Sequence, residues 1–435
     1  MKFHVAATHF HGSADLLAEL ADAEFLDDDA PTTRDWPQWL GPHRDGVTTM
    51  PDLLKTWPER GPPRLWRKTS GETYSSFAVA EGRVYTTMAT EGGETVFCWD
   101  LATGKERWQH AYTPRQAFQY SGPRTTPTLD GGKVYTLGAA GLLLCLNAAD
   151  GKVVWEHDLA AELGAAPPRW GLACSPLVEG DRLFVAIGGR RSLAAFDKAT
   201  GELVWAGLSD DPGYSSPVAA TIDGARQVIF FTGTRLVGVA PKDGSLLWEY
   251  PWKTSFDVNA ATPVVFRARS GGAEGTYVFI SSGYTRGCGL VKVERRGGGL
   301  MARRVYESSE LCCHFSTPVR HKDHIYAFDE TRDLTCLDLR TGEVRWRFDR
   351  PEGAEGLRAV GYQKGSLLRV GELLLALGET GKLALVEATP EAYREVAAAR
   401  PFRDRCWTLP VLAEGRLLVR DWKQVLCLDV RSVKD

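Results

Sequence analysis

The chain has no apolar run near the roughly 18 residues that a membrane-spanning helix needs, so a helical span is excluded. Its first residues contain no signal-peptide core, because Asp15, Glu19 and Asp22 interrupt every apolar stretch. Read literally, such a chain is expected to start and stay in the cytoplasm. Net charge is almost lacking, at −3 over 435 residues. No global field therefore marks the chain for nucleic acid or a membrane surface. A disulfide framework is also missing: the 9 cysteines are an odd number, and four of them recur at one place in a repeated strand, where cysteine serves as a small buried hydrophobe. No Ser–His–Asp order, phosphate-binding glycine loop or zinc-ligand spacing is recognisable, so no catalytic or metal-ligating residue is expected.

What charge there is lies unevenly. Residues 1–35 hold eight acidic residues against Lys2 and Arg34, which reads as an acidic, disordered leader over 1–34 with a short helix around Leu16–Phe25. His4, His9 and His11 fall in it and, without a structured frame, read as part of that leader rather than as a metal site. Residues 35–62, with Trp36, Pro37, Trp39 and Pro42, are expected to form a strap on the rim of the following domain.

That domain, residues 63–435, is written in repeats. Asp100-Leu-Ala-Thr-Gly104-Lys-Glu-Arg-Trp108 returns as Asn147 to Gly151 and Trp155, as Asp197 to Gly201 and Trp205, and as Asp338 to Gly342 and Trp346. A degraded copy keeps Gly244 and Trp248. Asp or Asn opens a tight turn by bonding nearby backbone N–H groups, and glycine supplies the positive φ that ends it. The tryptophan, four residues on, lies on the outgoing strand, where its apolar face fills the gap between neighbouring units. A second element, two small polar residues and a proline before an apolar strand, marks the unit starts: Thr125, Cys174, Ser215, Ala261, Ser316 and Thr408, with Ser75 and the poorer Lys364-Gly-Ser366 completing eight. Each unit spans about 46 residues, the period of a four-stranded propeller blade. A seven-bladed ring would have to discard the unit around Ser366. The last unit stops after its third strand, while Pro63–Lys68, carrying Trp66, offers a fourth strand from the other end. The expectation is an all-β, eight-bladed propeller closed by that pairing, which removes exposed edges, with a further helix at 390–398.

The Asp–Thr–Gly–Trp repeat resembles that of pyrroloquinoline-quinone (PQQ) repeat propellers, shared by quinoprotein alcohol dehydrogenases and BamB-type outer-membrane assembly factors. The opening Asp35-Trp-Pro-Gln-Trp-Leu-Gly-Pro-His-Arg-Asp-Gly46 is similar to that of bacterial PQQ-binding-like repeat proteins. The resemblance implies a periplasmic or envelope ancestry, at odds with the missing signal peptide. It also implies two places to look for chemistry. Cys312-Cys313 has the form of the adjacent-cysteine disulfide that packs on the quinone in the dehydrogenases; two free thiols are the plainer reading. Asp257-Val-Asn259 is the one suggestion of oxygen ligands for Ca²⁺, against the plainer reading of a turn cap.

Residues just before each inner strand should ring one mouth of the channel: Tyr74, Tyr120, Arg124, Trp170, Tyr214, Asn259, His314, Tyr362, Gln363 and Trp407. Aromatic and arginine enrichment suits ligand or peptide contact; plugging of the channel is the alternative. The expected function is a non-catalytic binding or scaffold propeller, monomeric, engaging a protein partner or small ligand at that mouth, with no nucleic acid and no cofactor. The alternative is a PQQ- and Ca²⁺-dependent dehydrogenase. A third reading is a sensor domain whose acidic leader served as a linker.

Overall fold

A computed structural model describes residues 10–26, 33–58, 60–331, 333–348, 356 and 360–432. Eight antiparallel sheets follow one another in chain order, each with four strands of its own. Blade 1 runs from Ala78 to Tyr112, blade 2 from Thr128 to Asp158, blade 3 from Leu177 to Gly207 and blade 4 from Val218 to Pro251. Blade 5 spans Val264–Ser308, blade 6 Val319–Arg347 and blade 7 Gly365–Ala399. Blade 8 takes three strands from Val411–Asp429 and its fourth from Arg64–Thr69, with Cys427 opposite Trp66. The eight-bladed ring and its closure therefore stand as read, including the weak unit around Ser366.

The repeat has a double cause. In the Asp100 turn, the carboxylate accepts hydrogen bonds from the Thr103 N–H (3.0 Å) and hydroxyl (2.9 Å). The repeat tryptophan of one blade then reaches the same turn of the next. Trp66 Nε1 donates to the Leu101 carbonyl at 2.9 Å, Trp108 to Ala148 at 3.0 Å, Trp155 to Lys198 at 3.2 Å and Trp205 to Pro241 at 3.0 Å. The indole lies flat against the turn glycine: a β-carbon on Gly151, where φ is +72°, would sit 2.5 Å from the Trp108 ring. Glycine is thus required twice, for its φ and for the approach of the neighbouring blade. Gly104, Gly201 and Gly244 meet Trp66, Trp155 and Trp205 in the same way. Trp346 keeps the pattern, donating to Thr389 at 2.8 Å. Trp248 departs from it and bonds Gln227 of its own blade at 2.6 Å. In blade 5 Tyr306 takes the tryptophan's place and packs on Gly342. The recurrent cysteines face the tryptophans across the strand pair, Cys98 opposite Trp108 and Cys145 opposite Trp155, fully buried.

The small polar unit starts form a belt around the channel. The Ser76 N–H donates to the Thr126 hydroxyl, Thr126 N–H to Ser175 and Ser175 N–H to Ser216, at 2.9–3.1 Å. Hydroxyls of minimal size let inner strands converge while satisfying their backbone donors.

Three expectations are corrected. The leader is ordered over 10–26: Phe10–Gly12 pairs with the outer strand of blade 5, Glu24–Leu26 with its inner strand, and helix Ala14–Ala21 lies between them. Leu16, Leu20 and Ala23 bury against the sheet, while Glu19 bonds Lys292 and Asp15 bonds Arg303. The acidic residues read as a solvated tail are thus partly spent on the basic residues of blade 5, and His11 sits on a strand. His4, His9 and the Asp27–Asp29 run lie outside the described residues. The segment 390–398 is not helical; Glu395–Ala399 is the outer strand of blade 7, because its alternate residues face the neighbouring strand. The third correction concerns the strap, which does not stay on the rim.

Candidate functional site

The strap crosses the channel. Trp36 exchanges backbone hydrogen bonds with Val79 of blade 1 (2.7 and 2.8 Å), and the Pro37 carbonyl accepts from Leu129 of blade 2 (2.8 Å). Trp39 Nε1 donates to Thr262 at the start of blade 5 (2.9 Å), and Val47–Thr48 adds a parallel strand to blade 7. At its centre Arg44, 3% exposed, donates to the carbonyls of Ser175, Pro176 and Pro217 and to the Thr128 hydroxyl. Burial lowers its pKa to about 9, so it remains a cation at neutral pH. One end of the channel is therefore crossed by the strap, and Ser175, Pro176, Pro217 and Thr262 belong to the repeated unit starts, although nothing local in the sequence marks them as its partners.

The other end is a cavity of about 500 Å³ whose floor includes Trp39. Of the ten expected mouth residues, Tyr74, Tyr120, Arg124, Trp170, Tyr214, His314 and Trp407 line it. Asn259, Tyr362 and Gln363 do not. Asn259 is wholly buried: its oxygen accepts from Thr254 and Ser282, and its amide donates to the carbonyls of Thr232, Gly233 and Trp252. Tyr362 is packed between Phe328 and Phe348 with its hydroxyl on Tyr393, and Gln363 points to solvent outside the cavity.

Sequence reading missed Trp39, Tyr284, Phe315, Glu330 and Lys364, which also line the cavity. Trp422, on its edge, was missed too. Tyr284, Glu330 and Trp422 sit in the turns between second and third strands. In an antiparallel blade those turns open on the same face as the connection preceding the inner strand, so strand parity was the usable signal.

The walls are a near-continuous set of rings. Phe256 meets Tyr284 (5.6 Å between centroids), Tyr284 meets His314 (5.1 Å), His314 meets Phe315 (5.6 Å) and Phe315 meets Trp407 (5.4 Å). Trp407 continues to Trp422 and Tyr74, and Trp170 stacks obliquely on Tyr214. Burial, with the nearby Lys364 charge, pushes the His314 imidazole down to about 4, so it is neutral at pH 7. Burial likewise raises Tyr214 to about 12. The indole N–H groups of Trp170 and Trp407 and Nδ1 of His314 are buried and find no hydrogen-bond partner among the described residues. Orphaned buried polar atoms are uncommon in a finished core; here three belong to side chains lining one cavity.

Neither Cys312 nor Cys313 forms a disulfide. The Cys313 thiol is buried and its pKa raised by desolvation, and neither residue lines the cavity. The Asp257–Asn259 pair does not fit a Ca²⁺ site, because every hydrogen-bonding atom of the Asn259 side chain is committed to the fold. Among the described residues no three His, Cys, Asp or Glu side chains converge as a metal-binding group, and no helix is long and apolar enough to cross a membrane.

Relatives share this architecture. The chain is 23% identical to the outer membrane protein assembly factor BamB of Yersinia pestis over 389 residues, covering 87% of this chain and 80% of that protein. It is 25% identical to BamB of Shewanella oneidensis over 232 residues, 51% of this chain and 56% of that one. The crystal structure of BamB from Moraxella catarrhalis superposes with a TM-score of 0.58 at 14% identity, over 86% of this chain and 98% of that one. Quinohemoprotein alcohol dehydrogenase from Comamonas testosteroni superposes with a TM-score of 0.67 at 13% identity, over 97% of this chain and 84% of that one. Those two superpositions show a shared fold. The family model described as outer membrane protein assembly factor BamB matches residues 113–348, more than half of the sequence, and the chain belongs to that family of PQQ-like propellers.

Proposed function

We propose that this chain is a non-catalytic binding propeller that engages a protein partner at the open mouth of its channel. The observation that carries the reading is the one-ended aromatic cup, open at one mouth of a channel whose opposite end is crossed by the strap. Large rigid aromatics beside arginines are the groups that dominate binding energy at interfaces. The relatives named as assembly factors favour a protein as the occupant. The dehydrogenase alternative asks for converging oxygen ligands beside a quinone, and Asn259, the residue the sequence offers for that role, is consumed by the fold.

The test is site-specific photo-cross-linking in cells. Tyr120 on the mouth and Val154 on the outer strand of blade 2 are equally exposed, at 41%. A photoreactive residue at Tyr120 is expected to give a discrete protein adduct, and one at Val154 none. Equal labelling from both positions, or Ca²⁺- and PQQ-dependent dye reduction by the purified protein, would overturn the reading.

A further inference from the structure

The charges around the cup specify its occupant more closely. Arg124 lies over Tyr74 (5.3 Å) and Phe118 (5.5 Å), Arg169 over Trp170 (5.6 Å) and Phe256 (5.9 Å), and Arg405 over Trp407 (4.5 Å) and Trp422 (5.0 Å). Lys364 joins them on the cavity wall. The carboxylates within reach are already engaged. Glu330 accepts the N–H groups of Tyr284 and Thr285 through its two oxygens (2.9 and 2.8 Å), and Glu379 pairs with Arg405 at 3.2 Å. The Lys364 and Arg169 side chains form no ion pair or hydrogen bond among the described residues, and the Arg124 side chain donates to the carbonyls of Gly122 and Tyr120. Arg124, Arg169, Lys364 and Arg405 stand before blades 2, 3, 7 and 8, whereas Asp211 stands before blade 4 and Asp257, with Lys253 near it, before blade 5.

We infer that the occupant of the mouth is an acidic peptide segment, its carboxylates directed at Lys364, Arg169 and Arg124 while an adjacent apolar or aromatic side chain enters the cup between Trp170 and Trp407. The inference rests on the binding reading above. Lys364, Arg169 and Arg124 supply charged donors for carboxylate oxygen, and a charge-assisted bond is stronger in a partly desolvated cup than in water. A macromolecular segment is favoured over a small organic anion because the attractive surface runs beyond the cavity. Phe256 is 60% exposed on the rim and is held there at φ +62°, a conformation bulky residues rarely adopt. Arg169 is exposed beside it, stacking on both the rim ring and the wall ring.

The experiment is selection of a displayed library of random ten-residue peptides on the full chain, with affinities of the winners measured by fluorescence anisotropy. Enriched peptides are expected to combine acidic residues with a Phe, Tyr or Trp. They should bind about tenfold more weakly to the Lys364→Gln, Arg169→Gln double variant and weaken further as salt rises. Replacing their Asp and Glu by Asn and Gln should cause a similar loss. Neutral or basic winners, or acidic winners indifferent to both changes, would overturn the inference. So would a failure of any peptide to enrich, or saturable binding of an aromatic carboxylate such as phenylacetate in the absence of peptide binding. Unchanged thermal unfolding of the double variant guards against a folding artefact. Cross-linking from Tyr120 without acidic preference in the library would remove this inference and leave the partner-binding reading standing.

Discussion

The two ends of the channel are built from the same ring of inner strands and differ in what satisfies them. At the strap end Arg44 is wholly enclosed, yet it finds three carbonyls and a hydroxyl from the starts of three successive blades. At the open end the indole nitrogens of Trp170 and Trp407 and Nδ1 of His314 find no partner among the described residues, on side chains that are themselves half-buried; at the strap end Trp36 Nε1 is likewise unpartnered. Buried polar groups are ordinarily paired because an unmade hydrogen bond costs about 1–3 kcal/mol. The contrast is between an end whose buried cation the chain itself satisfies and a mouth that stands open.

The largest expected effect breaks the satisfied end. Arg44→Ala should strand three carbonyls and open a void under the cup, lowering stability by about 3 kcal/mol or more, as read by thermal or denaturant unfolding; a change below about 1 kcal/mol would mean that the strap is dispensable. Next comes the blade contact that both ends share. Gly151→Ala puts a methyl 2.5 Å from the Trp108 ring at a positive φ, and should cost about 2 kcal/mol. Gly131→Ala, with open space around its β-carbon, serves as the control for φ alone.

A smaller effect should appear in the pH dependence. The unfolded chain binds a proton on His314 near the usual histidine value of about 6.5, the folded chain only near 4. Between these values the unfolded state holds more protons, so this histidine's contribution to stability is complete above about 6.5 and is lost as pH falls toward 4. His314→Gln should flatten the melting temperature in that window and leave it unchanged at pH 8. The smallest effect sharpens the comparison from the open side. Lys364→Gln should alter stability by no more than about 0.5 kcal/mol, because the ammonium has no ion pair to lose; a large loss would show that it belongs to the framework.

How far the sequence went follows from where each signal resides. Trp66 identified the closing strand from the sequence alone, because it matches the tryptophan that follows the turn glycine in most of the units. Seven of the ten mouth residues were found from position alone, since each directly precedes an inner strand. Asn259 has the same address and the opposite fate: Thr232 and Ser282, on neighbouring blades, converge on it with the nearby Trp252 and turn a candidate ligand into a structural bond. Tyr306, doing the work of a repeat tryptophan, was invisible because no local motif accompanies it. The leader was misread for a related reason. Leu16, Leu20 and Glu19 look like sparse residues of a polar tail until Tyr277 and Lys292 of blade 5 come within reach.

By itself the sequence determined the blade count, the turn chemistry and the ring closure, because these depend on contacts at fixed spacing that recur in every unit. Only the tertiary structure decided that Trp36–Thr48 crosses the channel, that the leader belongs to blade 5, and that one mouth is left open with its nitrogens unpartnered. Those outcomes depend on contacts between residues hundreds of positions apart, each made once, and a contact made once leaves no period in the sequence to read.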